Sequence, residues 1–260
     1  MRGEVYTPDK QGRSVMDDGR IIELRPIALS GEGGAVTRVG PLFYWSWLGV
    51  PLEGHAPMHR HQGFEVVTYM IQGKTVHQDE YSGHKEAVAG DLLLMRSGSG
   101  IQHEEWYTGP DAEGFQIWLE PHLRNALKQN PACRQYISDQ LPVLPFDGGS
   151  RKIIIGDGSP VDVSVDVHMI DLQVLAGHKA AYELKPGRML AALAVRGGGV
   201  WYRDSENDGS MLPFLHRDFM VIEHGSEGPE GWSLLASDDI RMILIDVPRD
   251  PGYPLYAKRP

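Results

Sequence analysis

The sequence predicts an all-β fold of two antiparallel β-barrels joined by a short helical bridge. Three observations carry that expectation: a composition rich in turn formers, short apolar runs closed by turn chemistry, and a faint internal repeat. Among 260 residues, 31 are Gly and 18 are Pro, more than helical proteins tolerate, while hydrophobic residues hold the ordinary globular share of 41 %. The length allows one large or two medium domains with sizeable cores.

Within residues 41–119, runs of strand length recur at 43–48, 65–71, 74–78, 85–88, 92–95, 101–107 and 115–119. The punctuation between them is turn chemistry: Gln72-Gly73, the polar stretch 79–84, Gly90-Asp91, Ser97-Gly98-Ser99-Gly100 and Gly109-Pro110-Asp111. These runs fit one barrel. Over 121–145 the pattern changes, because Leu123, Ala126 and Leu127, then Tyr136 and Ile137, recur at helical intervals between prolines. This segment is the expected bridge, ending in a linker at 142–150. Strand rhythm resumes at 152–155, 161–170, 189–195, 199–203, 219–223, 233–236 and 240–247. The expected domains are therefore 1–143 and 144–260.

The two halves repeat one another faintly. Glu53-Gly54-His55 ahead of the run 66–71 corresponds to Ala176-Gly177-His178 ahead of 189–195. Gly90-Asp91 before 92–95 corresponds to Arg217-Asp218 before 219–222. Two matches in one order at nearly constant offset point to duplication.

Charge and cysteine content narrow the function classes. The formal net charge is −10 and no Lys/Arg-rich run could follow a phosphate backbone, so direct nucleic-acid binding is not expected. A single cysteine, Cys133, allows no internal disulfide and reads as a small buried hydrophobe. Residues 1–25 are polar without a signal-peptide core, and no run approaches the roughly 20 apolar residues of a membrane span, which predicts a soluble cytoplasmic chain with no membrane partner.

The histidines carry the chemistry. His59 and His61 alternate with Arg60 ahead of a strand-like run; if the strand extends back to them, both imidazoles share a face. His103 and Glu105 repeat that spacing on another expected strand, directly after a Gly-rich turn. One H-x-H pair alone is weak, but two such pairs on neighbouring strands can converge inside a barrel. Three neutral nitrogen donors and one carboxylate suit Fe(II), Mn, Co, Ni, Cu or Zn rather than Ca or Mg. Glu65 also falls on the inward face by strand parity, either as a second carboxylate near the site or as a buried acid satisfied by a neighbouring hydroxyl or backbone amide.

These residues also carry a resemblance. The stretch H-R-H-Q-G-F-E-V-V-T-Y-M at 59–70, with Gly90-Asp91 and G-S-G-I-Q-H-E-E at 98–105, resembles the metal-binding half of the pirins, a bicupin family of double-stranded β-helices. The similarity is close over residues 40–120 and fades in the second half. It implies a divalent transition metal, Fe(II) first, held by the residues matching the family ligands: His59, His61, His103 and Glu105. Other cupins take a ligand at the place of Glu65; the pirin match favours Glu105. Family members include quercetin 2,3-dioxygenases, and animal members are also nuclear, redox-sensitive transcriptional cofactors. The chain departs from the family at Arg60 and Gln62, where Pro and Arg are usual, and at Trp45 and Trp47, where an Asp-containing turn is usual. Those departures are expected to bear on substrate preference and not on metal binding.

In the second half, Tyr182 and Leu184 stand where the first has His59 and His61, so that domain is expected to be metal-free. His178, His216 and His224 read as ordinary histidines. Val67, Tyr69, Leu93 and Met95, with Phe43, Trp45, Trp47 and Trp106, either line a cavity for a flat substrate or fill the core, and core is the simpler reading. The expected activity is a metal-dependent dioxygenase acting with O₂ on quercetin or a related flavonol or enol, with Glu105 and Glu65 as the carboxylates available for its proton. The alternatives are a metal-dependent regulatory module that binds a protein partner without turnover, and a cupin isomerase or hydrolase using the metal as a Lewis acid.

Overall fold

Alternating and β-branched runs separated by glycine turns form strands almost throughout. The computed structural model describes residues 2–204, 211–225, 228 and 230–255. In chain order the strands are β1 (Arg2–Tyr6), β2 (Gly12–Met16), β3 (Ile21–Ile27), β4 (Leu42–Val50), β5 (Glu53–His61), β6 (Glu65–Asp79), β7 (Gly83–Val88), β8 (Leu92–Arg96), β9 (Ile101–Leu119) and β10 (Ala132–Tyr136). They continue with β11 (Val143–Phe146), β12 (Gly149–Ile155), β13 (His168–Val174), β14 (Lys179–Leu184), β15 (Arg188–Arg196), β16 (Gly199–Arg203), β17 (Met211–Phe214), β18 (Phe219–Glu223), β19 (Glu230–Ala236) and β20 (Ile240–Pro248). No described helix is long and apolar enough to cross a membrane.

The chain forms two compact units. One comprises Lys10–Gln140, Pro160–Val165 and the described residues after Pro251; the other comprises the segment up to Asp9, Leu141–Ser159 and the described part of Asp166–Asp250. The fold is all-β and of the cupin type, with layers that face each other without closing into rings.

In the first unit the strand order is β10-β8-β6-β9-β4-β3-β2, with β5 paired to β9 and β7 to β6 off that path. The long strands β6 and β9 serve both layers. Near the start of β6, Glu65 to Tyr69 pair with β8 and with the end of β9; beyond the bend, Lys74 to Asp79 pair with β7 and with Thr108 to His103 of β9. The bend falls at two register shifts around Gln72 and at Gly73, where φ is +68° and an added Cβ would lie 2.7 Å from the Cα of Ala112. On β9 it falls at Gly109-Pro110, a cis peptide. Each long strand was expected as two runs with a turn between; the turn residues are present but act as bulges. Between the layers lie Leu48, Val66, Met70, Leu93, Met95, Ile101 and Tyr107.

The expected bridge holds one helical turn and one strand. One helical turn, α1 (Leu123–Ala126), ends before Pro131, and residues Ala132–Tyr136 then pair with β8 as β10, burying Cys133 and Tyr136. Likewise the run expected at 161–170 becomes strand only from His168.

The second unit sets a seven-stranded sheet, β1-β18-β15-β20-β13-β12-β11, and a four-stranded sheet, β14-β19-β16-β17, around Leu172, Leu190, Trp201, Met220, Trp232 and Leu244. Its turn before β18 reproduces the one before β8 bond for bond. Asp91 and Asp218 both accept a backbone N–H from three residues upstream, Val88 at 3.3 Å and Leu215 at 2.8 Å. The preceding Gly90 and Arg217, both at positive φ, donate to Met70 and Ala194, whose next-turn amide partners match as well.

Candidate metal centre

Register brings the expected residues together. β9 lies between β5 and β6, so that His103 faces His59 on one side and Asp79 on the other, while Glu105 faces His77. Strand alternation then turns His59, His61, His103, Glu105, His77 and Asp79 to one face. The donor atoms of His59, His61 and His103 all lie within 4.8 Å of one another, and the ring centroids are 4.3 to 4.9 Å apart.

The electrostatics favour neutral imidazoles. Burial, then the neighbouring His103 and His59, push His61 down to about 3; burial, then His59 and His77, push His103 down to about 2. The Nδ1 of His59 lies 2.8 Å from the carbonyl oxygen of Pro57, which leaves its Nε2 as the lone-pair atom. The Nε2 atoms of His61 and His103 are buried and have no hydrogen-bond partner among the described residues. Buried polar atoms left alone are costly, and three convergent imidazole nitrogens fit a divalent transition metal.

Glu105 stands beside this trio. Its donor atom groups with those of His103 and His77, not with those of His59 and His61. Oε2 accepts from the Tyr107 hydroxyl at 3.0 Å and from the Gln116 amide, whereas Oε1 has only a long 3.4 Å contact with the Thr68 hydroxyl among the described residues. Burial and the adjacent Glu105 raise the Tyr107 phenol well above its ordinary value, so it remains a donor.

Glu65 is not brought to the histidines. Val66, Thr68 and Met70 are the residues of β6 that face the interior, so Glu65 shares the opposite face with Val67 and Tyr69. Its buried carboxylate accepts from the Ser164 amide at 3.0 Å, the Ser164 hydroxyl at 2.8 Å and the Arg96 Nε at 3.1 Å. Burial raises its pKa against these partners.

Of the residues expected either to line a cavity or to fill the core, most fill the core. Phe64 and Trp118 flank the His61 ring at 5.1 and 5.0 Å, and Phe43 stands against both. Val67, Tyr69, Leu93, Met95, Trp45 and Trp47 are buried core. Trp106 faces away and stacks on His55 at 4.8 Å. Arg60 and Gln62 are exposed, and Gln62 ties the Gly-rich turn through the Ser99 carbonyl at 2.8 Å.

His77 and Asp79 escaped the sequence reading. Their signal was present, the same two-residue spacing as His59 and His61, but Asp79 read as the first residue of a polar turn. In the structure it is the last residue of β6, and the Nε2 of His77 lies 2.7 Å from its carboxylate.

Comparison with known proteins points the same way. The Pirin family profile matches residues 49–119. A pirin-like protein of Caulobacter vibrioides is 36 % identical over 80 % of this chain and 73 % of its own length. One from Solanum lycopersicum is 37 % identical over 73 % of this chain and 64 % of its own, so the chain spans less than two thirds of that relative. Among solved structures, the Escherichia coli pirin YhhW in complex with nickel(II) matches at TM-score 0.76 and 17 % identity, covering 95 % of this chain and 99 % of that one. A quercetin 2,3-dioxygenase from Acinetobacter baumannii matches at 0.78 and 18 %, covering 99 % and 89 %.

Proposed function

The chain belongs to the pirin family, and from that premise we propose that it is a metal-dependent dioxygenase acting with O₂ on quercetin or a related flavonol or enol. The observation that carries this reading is the pair of buried, unpartnered Nε2 atoms on His61 and His103 beside His59. In this reading His59, His61 and His103 hold the ion and Glu105 completes the donor set. The ion we assign is Fe(II); the nickel in the Escherichia coli relative supports a divalent transition metal in general. When bound, such an ion supplies Lewis acidity and one-electron chemistry with O₂.

The chain's own residues supply position and proton transfer. Tyr107 and Gln116 fix one oxygen of Glu105, leaving Oε1 as the oxygen that can turn toward the histidines. In this reading the Glu105 carboxylate is also the base for the hydroxyl proton of an enol substrate. Phe64 and Trp118 offer flat apolar faces next to His61, which suits an aromatic ring. The Acinetobacter baumannii quercetin 2,3-dioxygenase supports this substrate class. We place the protein in the cytoplasm, since the buried free thiol of Cys133 demands no oxidising compartment.

The test is metal analysis of protein purified without chelator or nickel resin, followed by oxygen electrode and carbon monoxide measurements with quercetin under air. Stoichiometric metal with quercetin-dependent O₂ uptake and CO release is expected. Fully loaded protein that consumes no O₂ with any flavonol would overturn the enzymatic reading.

A further inference from the structure

Behind His103 lies a chain of buried hydrogen bonds. The Nδ1 of His103 is 3.2 Å from the Nδ1 of His77, and the Nε2 of His77 is 2.7 Å from Oδ2 of Asp79. Oδ1 of Asp79 in turn accepts the backbone N–H groups of Tyr81 at 2.7 Å and Ser82 at 2.5 Å. His77, Asp79 and His103 are buried, at 2 %, 3 % and 1 % exposure.

With a single proton on each imidazole, only one arrangement satisfies this chain. Each hydrogen bond needs one donor and one acceptor, and an ionised carboxylate can only accept. Asp79 is held ionised by its two backbone donors and His77, which keep its carboxyl below the ordinary range despite burial. The His77 proton therefore sits on Nε2, which makes His77 Nδ1 an acceptor. The facing Nδ1 of His103 must then carry a proton, and its Nε2 is left with a bare lone pair. That Nε2 is buried and has no partner among the described residues.

We propose that His77 and Asp79 are positioning residues, a relay that fixes the tautomer of His103 and aims its Nε2 lone pair at the metal. The proposal rests on the metal centre assigned above. Metal-bound histidines commonly owe their orientation to a carboxylate or carbonyl behind the ring. Here the carboxylate acts through a second imidazole, so His103 is set by a charged group and His59 by the neutral carbonyl of Pro57. The donor atom of the nearby Cys133 groups with those of His77 and Asp79 and not with the three convergent imidazoles.

Asp79→Asn tests the direction of the relay. The single oxygen of asparagine keeps the Tyr81 and Ser82 amides, so its NH₂ faces His77. That reverses every donor and acceptor along the chain and places the His103 proton on Nε2. The probes are nickel(II) affinity, by chelator competition, and the visible bands of the cobalt(II)-loaded protein. We expect the affinity of Asp79→Asn to fall about 10- to 100-fold, with shifted cobalt bands and a metal-free unfolding midpoint close to that of the parent. His77→Gln can still donate to Asp79 and accept from His103, and should stay within a few-fold of the parent; His77→Leu should behave like Asp79→Asn. Parent affinity and bands in Asp79→Asn and His77→Leu would overturn the relay. If Asp79→Asn fails to fold, the His77→Gln and His77→Leu pair decides by the same readouts. His103→Ala separates the two levels: its loss of binding supports the centre itself, and unchanged binding overturns the centre whatever the relay variants do.

Discussion

Two imidazoles that stay neutral in the fold bind protons readily once unfolded, and this gives the metal-free protein a pH signature. His61 and His103 lie at about 3 and about 2, against an ordinary value of 6.5. Their contribution to stability is fully present above pH 6.5 and is lost as pH falls toward the folded values, because the unfolded state then takes up more protons. Denaturant titrations of metal-free protein should lose on the order of 2 kcal/mol per imidazole between pH 6.5 and pH 5. His61→Ala should flatten part of that slope. The two glutamates separate at the same scale. Glu105→Gln should weaken metal binding more than Glu65→Gln, whereas Glu65→Gln should lower unfolding stability by about 1–3 kcal/mol, because Arg96 and Ser164 lose a buried charged acceptor. Calorimetric metal titration and chemical denaturation read the two effects independently; the reverse order would exchange the roles of these residues. That His59, His61 and His103 share a face was legible because an alternating pair shows its face directly. Strand parity does not carry from His61 to Glu65, because at residues 62–64 the chain leaves β5 and re-enters the sheet as β6.

At the level of strands, the site depends on β6 and β9 bending so that one half of each carries the histidine face and the other half faces it. Gly73 holds that bend in a left-handed conformation, with Ala112 and the Thr108 carbonyl oxygen 2.7 and 2.8 Å from any added Cβ. Gly73→Ala should therefore cost about 1–3 kcal/mol in unfolding free energy and weaken metal binding with it. An unchanged unfolding midpoint would show that the bend does not need glycine. In the first unit β4 and β6 to β9 were visible in the sequence as apolar runs, while β2 and β3 were not expected. β5 was not, since residues 53–61 lack apolar alternation and owe their strand form to pairing with β9. β10 was hidden for the opposite reason: its apolar residues fell at helical spacing, and the open edge of β8 overrode that local preference. Asp79 was read as a turn because a polar residue ending a strand looks like punctuation until its partner is seen.

Across the whole molecule, the two halves share a turn to the level of single hydrogen bonds while differing at the metal positions. The repeat was legible from Gly90-Asp91 and Arg217-Asp218 because that turn requires an aspartate at its end. What replaces the metal chemistry was not legible. Tyr182, which the repeat sets against His59, donates to Asp246 at 2.8 Å, and Arg188 pairs with the same carboxylate. Tyr182→Phe should cost about 1 kcal/mol of stability and leave metal content unchanged, as read by unfolding and elemental analysis; lost metal would tie the second unit to the centre. The central claim, that one ion is held by three imidazoles of the first unit, is tested most directly by X-ray absorption at the metal edge of the loaded protein. Nitrogen and oxygen scatterers are expected at about 2.0–2.2 Å with the outer-shell signature of three imidazoles, falling to two in the ion that His61→Ala retains under excess metal. A spectrum without imidazole scattering, or one that His61→Ala leaves unchanged, would contradict that claim.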